Sequence, residues 1–180
     1  IYDKSRELYG LYQAKQSIAR KNKCILVEGY MDVISMHQSG VENVVASSGT
    51  SLTEGQIRLI HRFTDNVTVI YDSDAAGIKA SLRGIDMILA EGINVKVLSL
   101  PDGDDPDSFA QSHTAEELEE YLRDNETDFI RFKTRILLAD AANDPIARSR
   151  VISDILRSIS VIPDAVTRTG YIAECSRAFG

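Results

Sequence analysis

The chain has 180 residues, enough for one buried core with a smaller appended unit, and its 43% hydrophobic and 26% charged residues are ordinary globular proportions. A net charge of −7 excludes a basic, nonspecific nucleic-acid glue but leaves room for a site that gathers carboxylates around divalent cations. No apolar run reaches the length of a membrane span and no signal peptide opens the chain, so a cytoplasmic protein with no membrane partner is expected.

The chain opens on Ile1 with a cationic, helical-looking stretch and reads as a piece of a longer protein. Cys24 to Val27 form a compact β-type run; Glu28 and Gly29 follow, then a helical stretch from about Met31 to Gln38. Val44 to Ala46 make a second strand, closed by Ser47-Ser48-Gly49-Thr50. Thr53 and Gln56 fit a capping box, with Ile57, Ile60 and Phe63 behind it at helical spacing. Val67 to Tyr71 are a third strand. Ile78, Leu82, Ile85 and Leu89 stripe one face of the next helix, and Val95, Val97 and Leu98 mark a fourth strand. Beyond the loop from Pro101 to Pro106 the strand signals stop. Thr114 and Glu117 form another capping box, and a helix is predicted from about Thr127 to Ala139. Ile152, Ile155, Leu156, Ile159 and Ile162 stripe a further helix, and Pro163 suits the first turn of a last one.

Near-continuous apolar strands separated by helices predict an α/β fold, a parallel sheet covered on both faces, followed by an all-helical subdomain. The boundaries read as a leader over 1–22, the α/β domain over 23–113 and the helical subdomain over 114–180. Cys24 and Cys175 lie far apart with no CxxC pairing, and His37, His61 and His113 lack ligand spacing. A reducing compartment and no zinc site are expected, with packing or solvated roles for the histidines.

Open parallel sheets gather ligands at the carboxyl ends of their strands, and three acidic groups fall there. Glu28 follows the first strand, with Gly29 read as permitting a sharp turn. Asp72 and Asp74 follow the third, a spacing that puts both carboxylates on one side of an extended segment. Asp102, Asp104, Asp105 and Asp107 crowd the loop after the fourth, and Asp32 lies one helical turn beyond Glu28. A lone DxD is common on surfaces and Asp-rich loops are commonly solvated turns. Convergence at three strand ends is different, because so many carboxylates repel one another unless cations sit among them. Oxygen donors of this kind suit Mg²⁺, and a metal-dependent enzyme acting on phosphates follows.

Four stretches in this order go further: Val27-Glu28-Gly29-Tyr30-Met31-Asp32, Ala46-Ser47-Ser48-Gly49-Thr50-Ser51, Tyr71-Asp72-Ser73-Asp74-Ala75-Ala76-Gly77, and Leu100-Pro101-Asp102-Gly103-Asp104-Asp105-Pro106-Asp107. Together they closely resemble the Toprim domain of bacterial, DnaG-type replicative DNA primases, and Arg6-Glu7-Leu8-Tyr9-Gly10-Leu11 resembles the segment leading into it. The resemblance implies a Toprim-type sheet and nucleotidyl transfer that makes short RNA primers on a single-stranded DNA template from ribonucleoside triphosphates. It implies Mg²⁺, with Mn²⁺ as a substitute, held by Glu28, Asp72, Asp74, Asp105 and Asp107, and it carries Asp32 as the acid closing EGYMD. Lys4 matches a basic residue near the active site, expected to hold phosphate or template, with an ordinary solvated lysine as the equal alternative. Ser47, Gly49 and Thr50 are expected to line the substrate side. Tyr30 and Tyr71 flank the site and read as packing residues; Arg58, Arg62, Lys79 and Arg83 read as solvated. The family's zinc module, basic template-guiding subdomain and helicase-interaction region are expected outside these residues, so this catalytic-core piece should bind metal but synthesise primers poorly.

Two rivals remain. A Toprim nuclease would use the same acids with water as nucleophile, although the DPD motif and the leader favour primase. A non-enzymatic module would use the helical tail to dock a helicase or another replication protein.

Overall fold

The structure, a computed structural model, describes residues 6–47, 52–71, 75–101, 103–141 and 144–179; for 75–81, 83 and 140 it describes the backbone alone. The apolar runs become β1 (Cys24–Val27), β2 (Val44–Ala46), β3 (Asn66–Tyr71) and β4 (Asn94–Ser99), mutually parallel in the order β2-β1-β3-β4. Alternation along these strands feeds two cores. Cys24, Leu26, Val45, Val67, Val69, Val95 and Val97 face one side, and Ile25, Val27, Val44, Ile70 and Leu98 the other.

Against the first face pack α1 (Leu11–Lys21), α3 (Glu54–His61), α4 (Ala75–Ala90), α7 (Phe129–Asp140), α8 (Pro145–Ser160) and α9 (Ala165–Phe179). The second face is covered by α2 (Tyr30–Gln38), α5 (Pro106–Ser112) and α6 (Ala115–Asn125). The capping boxes at Thr53–Gln56 and Thr114–Glu117 form as the sequence predicts. Gln56 goes further and donates to the carbonyl of Glu7, tying α3 to the leader. The leader is pinned again where Tyr9 and Ala46 exchange backbone hydrogen bonds of 2.9 and 3.1 Å. Gly10 makes this crossing possible: its φ is +81°, and a Cβ there would meet Val33 at 2.8 Å.

Three expectations are corrected. The sheet is mixed, because β5 (Thr127–Asp128) pairs antiparallel with β4 on its free edge, so the tail is not wholly helical. Asp128 caps α7 by accepting from the amide of Arg131, which moves the helix start from Thr127 to Phe129. Likewise Asp164 accepts from the amide of Thr167, so Pro163 precedes the last helix rather than entering it. The acidic loop contains α5, whose start uses Asp105 as cap and Pro106 in the first turn.

One buried carboxylate joins the strands to the tail. Glu126, at the end of α6, accepts from Lys23 at 2.8 and 2.9 Å, Lys96 at 2.8 Å and Thr68 at 2.9 Å. Burial raises its pKa, but the hydrogen bonds from Lys23, Lys96 and Thr68 outweigh this, leaving the group below its ordinary value of 4.5. A depressed pKa means stabilisation that is present above the unfolded value and lost as pH falls through the folded one. Glu126→Gln should therefore lower stability by about 2 kcal/mol at neutral pH. In urea titrations that deficit should shrink as the pH is taken below 4.5; an equal deficit in acid would show that charge is not what Glu126 contributes.

Candidate active site

The register of the sheet decides what meets at its carboxyl edge. Val27 pairs with Ala46 and Leu26 with Val69. One residue further on, Glu28 leaves β1 beside Ser47 and level with Tyr71. Tyr71 in turn pairs with Ser99. Glu28 is exposed, as a carboxylate that receives ligands from solvent must be, and Ser47 is half-buried. In the sequence Asp72 follows Tyr71 directly. Asp72 and Asp74 themselves, with Lys4, Gly49 and Thr50, lie outside the described residues.

Tyr71 is the unusual member of this row. Its side chain is 3% exposed, and its hydroxyl is the one buried side-chain polar atom without a hydrogen-bond partner among the described residues. Burial pushes the phenol's pKa up, and the negative charge of Glu28 pushes it further. Its ring packs as the sequence suggests, but its oxygen is left at the acidic edge. Tyr30, also expected to pack, is instead 57% exposed.

The remaining acids are tied into the scaffold. Asp32 accepts from the Gly29 amide at 2.9 Å and caps α2. Gly29 has φ −100° and ψ 154°, extended backbone open to any residue, so the expected need for a sharp turn is not met. What the glycine provides is room: a Cβ there would sit 2.9 Å from the Asp32 carboxylate. Asp105 caps α5, and hydrogen bonds from the Ser108 amide at 2.7 Å and the Ser108 side chain hold its carboxyl below the usual range. Asp107 accepts from Ser35 of α2 and from Gln111 at 2.7 Å, so its carboxylate also joins α5 to α2. Ser35 escaped the sequence reading because 72 residues separate it from Asp107 and nothing local marks the pair. His113 lies against Phe109 with ring centroids 4.0 Å apart, a packing role. Among the described residues no cluster of three or more His, Cys, Asp or Glu could hold a metal ion.

Comparison with known proteins identifies the class. A family model described as Toprim-like matches residues 25–110, the sheet with its acidic edge. A model described as the DnaB-helicase binding domain of primase matches residues 130–180, a stretch expected to be helical, with helicase docking there only in the rival reading. A DNA primase of Halalkalibacterium halodurans is 37% identical over 180 residues, covering 99% of this chain and 30% of the relative. The Escherichia coli primase catalytic core superposes with a TM-score of 0.87 at 34% identity, over 100% of this chain and 58% of that one. A DnaG primase catalytic domain bound to ssDNA gives 0.85 at 33%, over 98% and 58%. The chain is thus a Toprim-type α/β unit with a helical extension. It belongs to the family of DnaG-type DNA primases and spans about a third of the length of the curated relatives it matches. The helical extension lies within the stretch that superposes on solved catalytic cores.

The stranded hydroxyl gives a direct check. Tyr71→Phe removes an unsatisfied buried polar atom and keeps the ring, so it should stabilise the metal-free chain by about 1 kcal/mol. The change would appear as a higher denaturant midpoint with unchanged slope; a lower midpoint would mean the hydroxyl has a partner.

Proposed function

We propose that this chain carries the metal-binding half of a primase active site, where a 3′-hydroxyl attacks the α-phosphate of a ribonucleoside triphosphate and pyrophosphate leaves. The observation that carries the reading is the register that brings Glu28, Ser47 and the exit of β3 into one row, in a chain whose relatives are DNA primases. Glu28, Asp72 and Asp74 would hold a divalent cation, with Asp105 and Asp107 completing the acidic rim. All-oxygen donors fit Mg²⁺, or Mn²⁺ in its place. When bound, the cation supplies charge neutralisation at the phosphates and a more acidic attacking hydroxyl. Asp32 positions the start of α2 through Gly29. Lys4 would hold phosphate or template, and Ser47, Gly49 and Thr50 would line the substrate side. Single-stranded DNA as template and ribonucleotides as substrates follow from this reading, and a cytoplasmic site of action fits it.

The test is unprimed ribonucleotide incorporation on single-stranded DNA with Mg²⁺. The 180-residue chain should bind Mn²⁺ but synthesise little. In the full-length protein Glu28→Gln and Asp72→Asn should each cut synthesis at least about a hundredfold, in line with losing a charge-stabilising group at a reacting centre. Template degradation without new RNA would make this a nuclease instead.

A second reading concerns the tail and rests on the model matched at 130–180. Ile146, Val166 and Ile172 are exposed apolar side chains on the outer surfaces of α8 and α9, as a helicase-docking face requires. Val166→Asp should weaken binding of a replicative helicase at least tenfold by calorimetry while leaving the melting temperature unchanged, since burying a charge in such an interface costs more than about 1.4 kcal/mol. Unchanged affinity would return the helicase contact to a region outside this chain.

A further inference from the structure

Three tyrosines stand exposed at the edge where Glu28 emerges. Among the described residues the exposed large aromatics are Tyr9, Tyr12 and Tyr30, at 37%, 76% and 57%, whereas Tyr71 at the same edge is buried. A tyrosine face can accept a stacked flat ring, and these three lie along one surface. Tyr9 and Tyr30 meet edge to face, ring centroids 6.1 Å apart. Tyr9 and Tyr12 then line one open groove of about 380 Å³, with Glu7, Gln13 and Lys15 on its walls. The Lys15 ammonium sits 4.4 Å from the centre of the Tyr12 ring, placing a cation over the outermost aromatic face. Met31 extends the apolar surface beside Tyr30.

The backbone fixes this surface relative to the acids. Tyr9 is hydrogen-bonded to Ala46, the last residue of β2 and the neighbour of Ser47. Tyr30 follows Glu28 by two residues. The rings therefore continue the row formed by Ser47, Glu28 and Tyr71 toward α1.

We infer that Tyr30, Tyr9 and Tyr12 form a stacking platform for the unpaired bases of a single nucleic-acid strand entering or leaving the acidic edge. The inference rests on the nucleotidyl-transfer reading only for the direction of the strand; the recognition itself is base on ring. A net charge of −7 gives the chain no overall attraction for a polyanion, and stacking is an attraction that does not depend on it. A single cation over Tyr12 suits one phosphate beside stacked bases, where a basic groove would suit many. Stacking tolerates any base, as a strand copied or made at an adjacent site requires.

Fluorescence anisotropy on the chain, with a short oligothymidylate and an abasic strand of equal length, tests this without metal or ribonucleotides. The unaltered chain should bind the thymidylate about tenfold more tightly than the abasic strand, the scale of one stacked base. Tyr12→Ala, and Tyr9→Ala combined with Tyr30→Ala, should each reduce that ratio toward one, while the Phe counterparts keep it. The dependence of affinity on salt should stay the same in all of them, because no phosphate contact is removed. Tyr12 is largely exposed and Tyr9 pairs through its backbone, so these variants keep the fold. An unaltered chain that binds both strands equally would overturn the platform. So would alanine variants that keep the ratio, or that change only the mass in sedimentation, which would assign the face to a second copy. Base discrimination intact without RNA synthesis in the full-length protein would sink the primase reading alone; RNA synthesis with tyrosine-insensitive binding would sink the platform alone.

Discussion

The parallel pairing of β1 with β3 is the constraint on which the other features depend. Leu26 against Val69 sets which side chains enter each core, and the same register brings Glu28 level with Tyr71 at the edge. A slip of one residue would turn Leu26 and Val69 toward the opposite layers and carry Glu28 into the wrong face. Because both faces of the sheet are buried, that slip is penalised by every apolar side chain on the strand. The contacts that supply folding energy therefore also set where Glu28 emerges at the edge.

The described acids that follow β1 and β4 are handled by the fold group by group. Asp105 is stabilised as an anion by the Ser108 hydrogen bonds at the start of α5, where the helix end also favours negative charge. Asp32 is spent in the same way on α2. Asp107 takes its donors from Ser35 and Gln111. Each of these carboxylates accepts hydrogen bonds from local donors, and Glu28 stands exposed beside the unsatisfied hydroxyl of Tyr71. The division between acids that hold the scaffold and acids that face outward is a property of the structure, since in sequence all are simply Asp or Glu after a strand.

That contrast shows what could be read in advance. The four parallel strands were legible because runs such as Cys24–Val27 are buried on both sides and so are apolar throughout. Helix starts at Thr53 and Thr114 were legible because a capping box is local, with both partners three residues apart. β5 was not: two residues carry no periodicity, and Thr127–Asp128 is extended only because β4 offers a free edge. Gly29 suggests conformational freedom in the sequence, whereas its use is the space it leaves for Asp32. Tyr30 was read as packing because sequence gives an aromatic residue no direction, and its exposure follows from where α2 sits on the sheet. The Glu126 cluster joins residues up to 103 positions apart, beyond the reach of any local pattern.

The tail brings together two descriptions that would otherwise compete, a catalytic core and a helicase-binding segment. Phe129, Ile130, Phe132, Ile155, Ile159 and Cys175 share one core with Val69 and Tyr71, so the inner surfaces of α7, α8 and α9 belong to the sheet. A polar chain crosses the same boundary: buried Lys133 on α7 donates to Ser158 on α8 at 2.7 Å, and Ser158 donates to Asp86 on α4 at 2.6 Å. Separating α8 from α4 would break the Ser158–Asp86 bond, and separating α7 from α8 would strip buried Lys133 of both Ser158 and Asp154, whose carboxylate lies 3.4 Å away, so these helices do not come apart cheaply. Their outer surfaces carry no such obligation, and there Ile146, Val166 and Ile172 reach solvent. One layer of helices can thus close the core of the acidic domain on its inner side and offer a docking surface on its outer side. A partner bound there would press on helices that share one core with Tyr71, the residue that borders Glu28 at the edge.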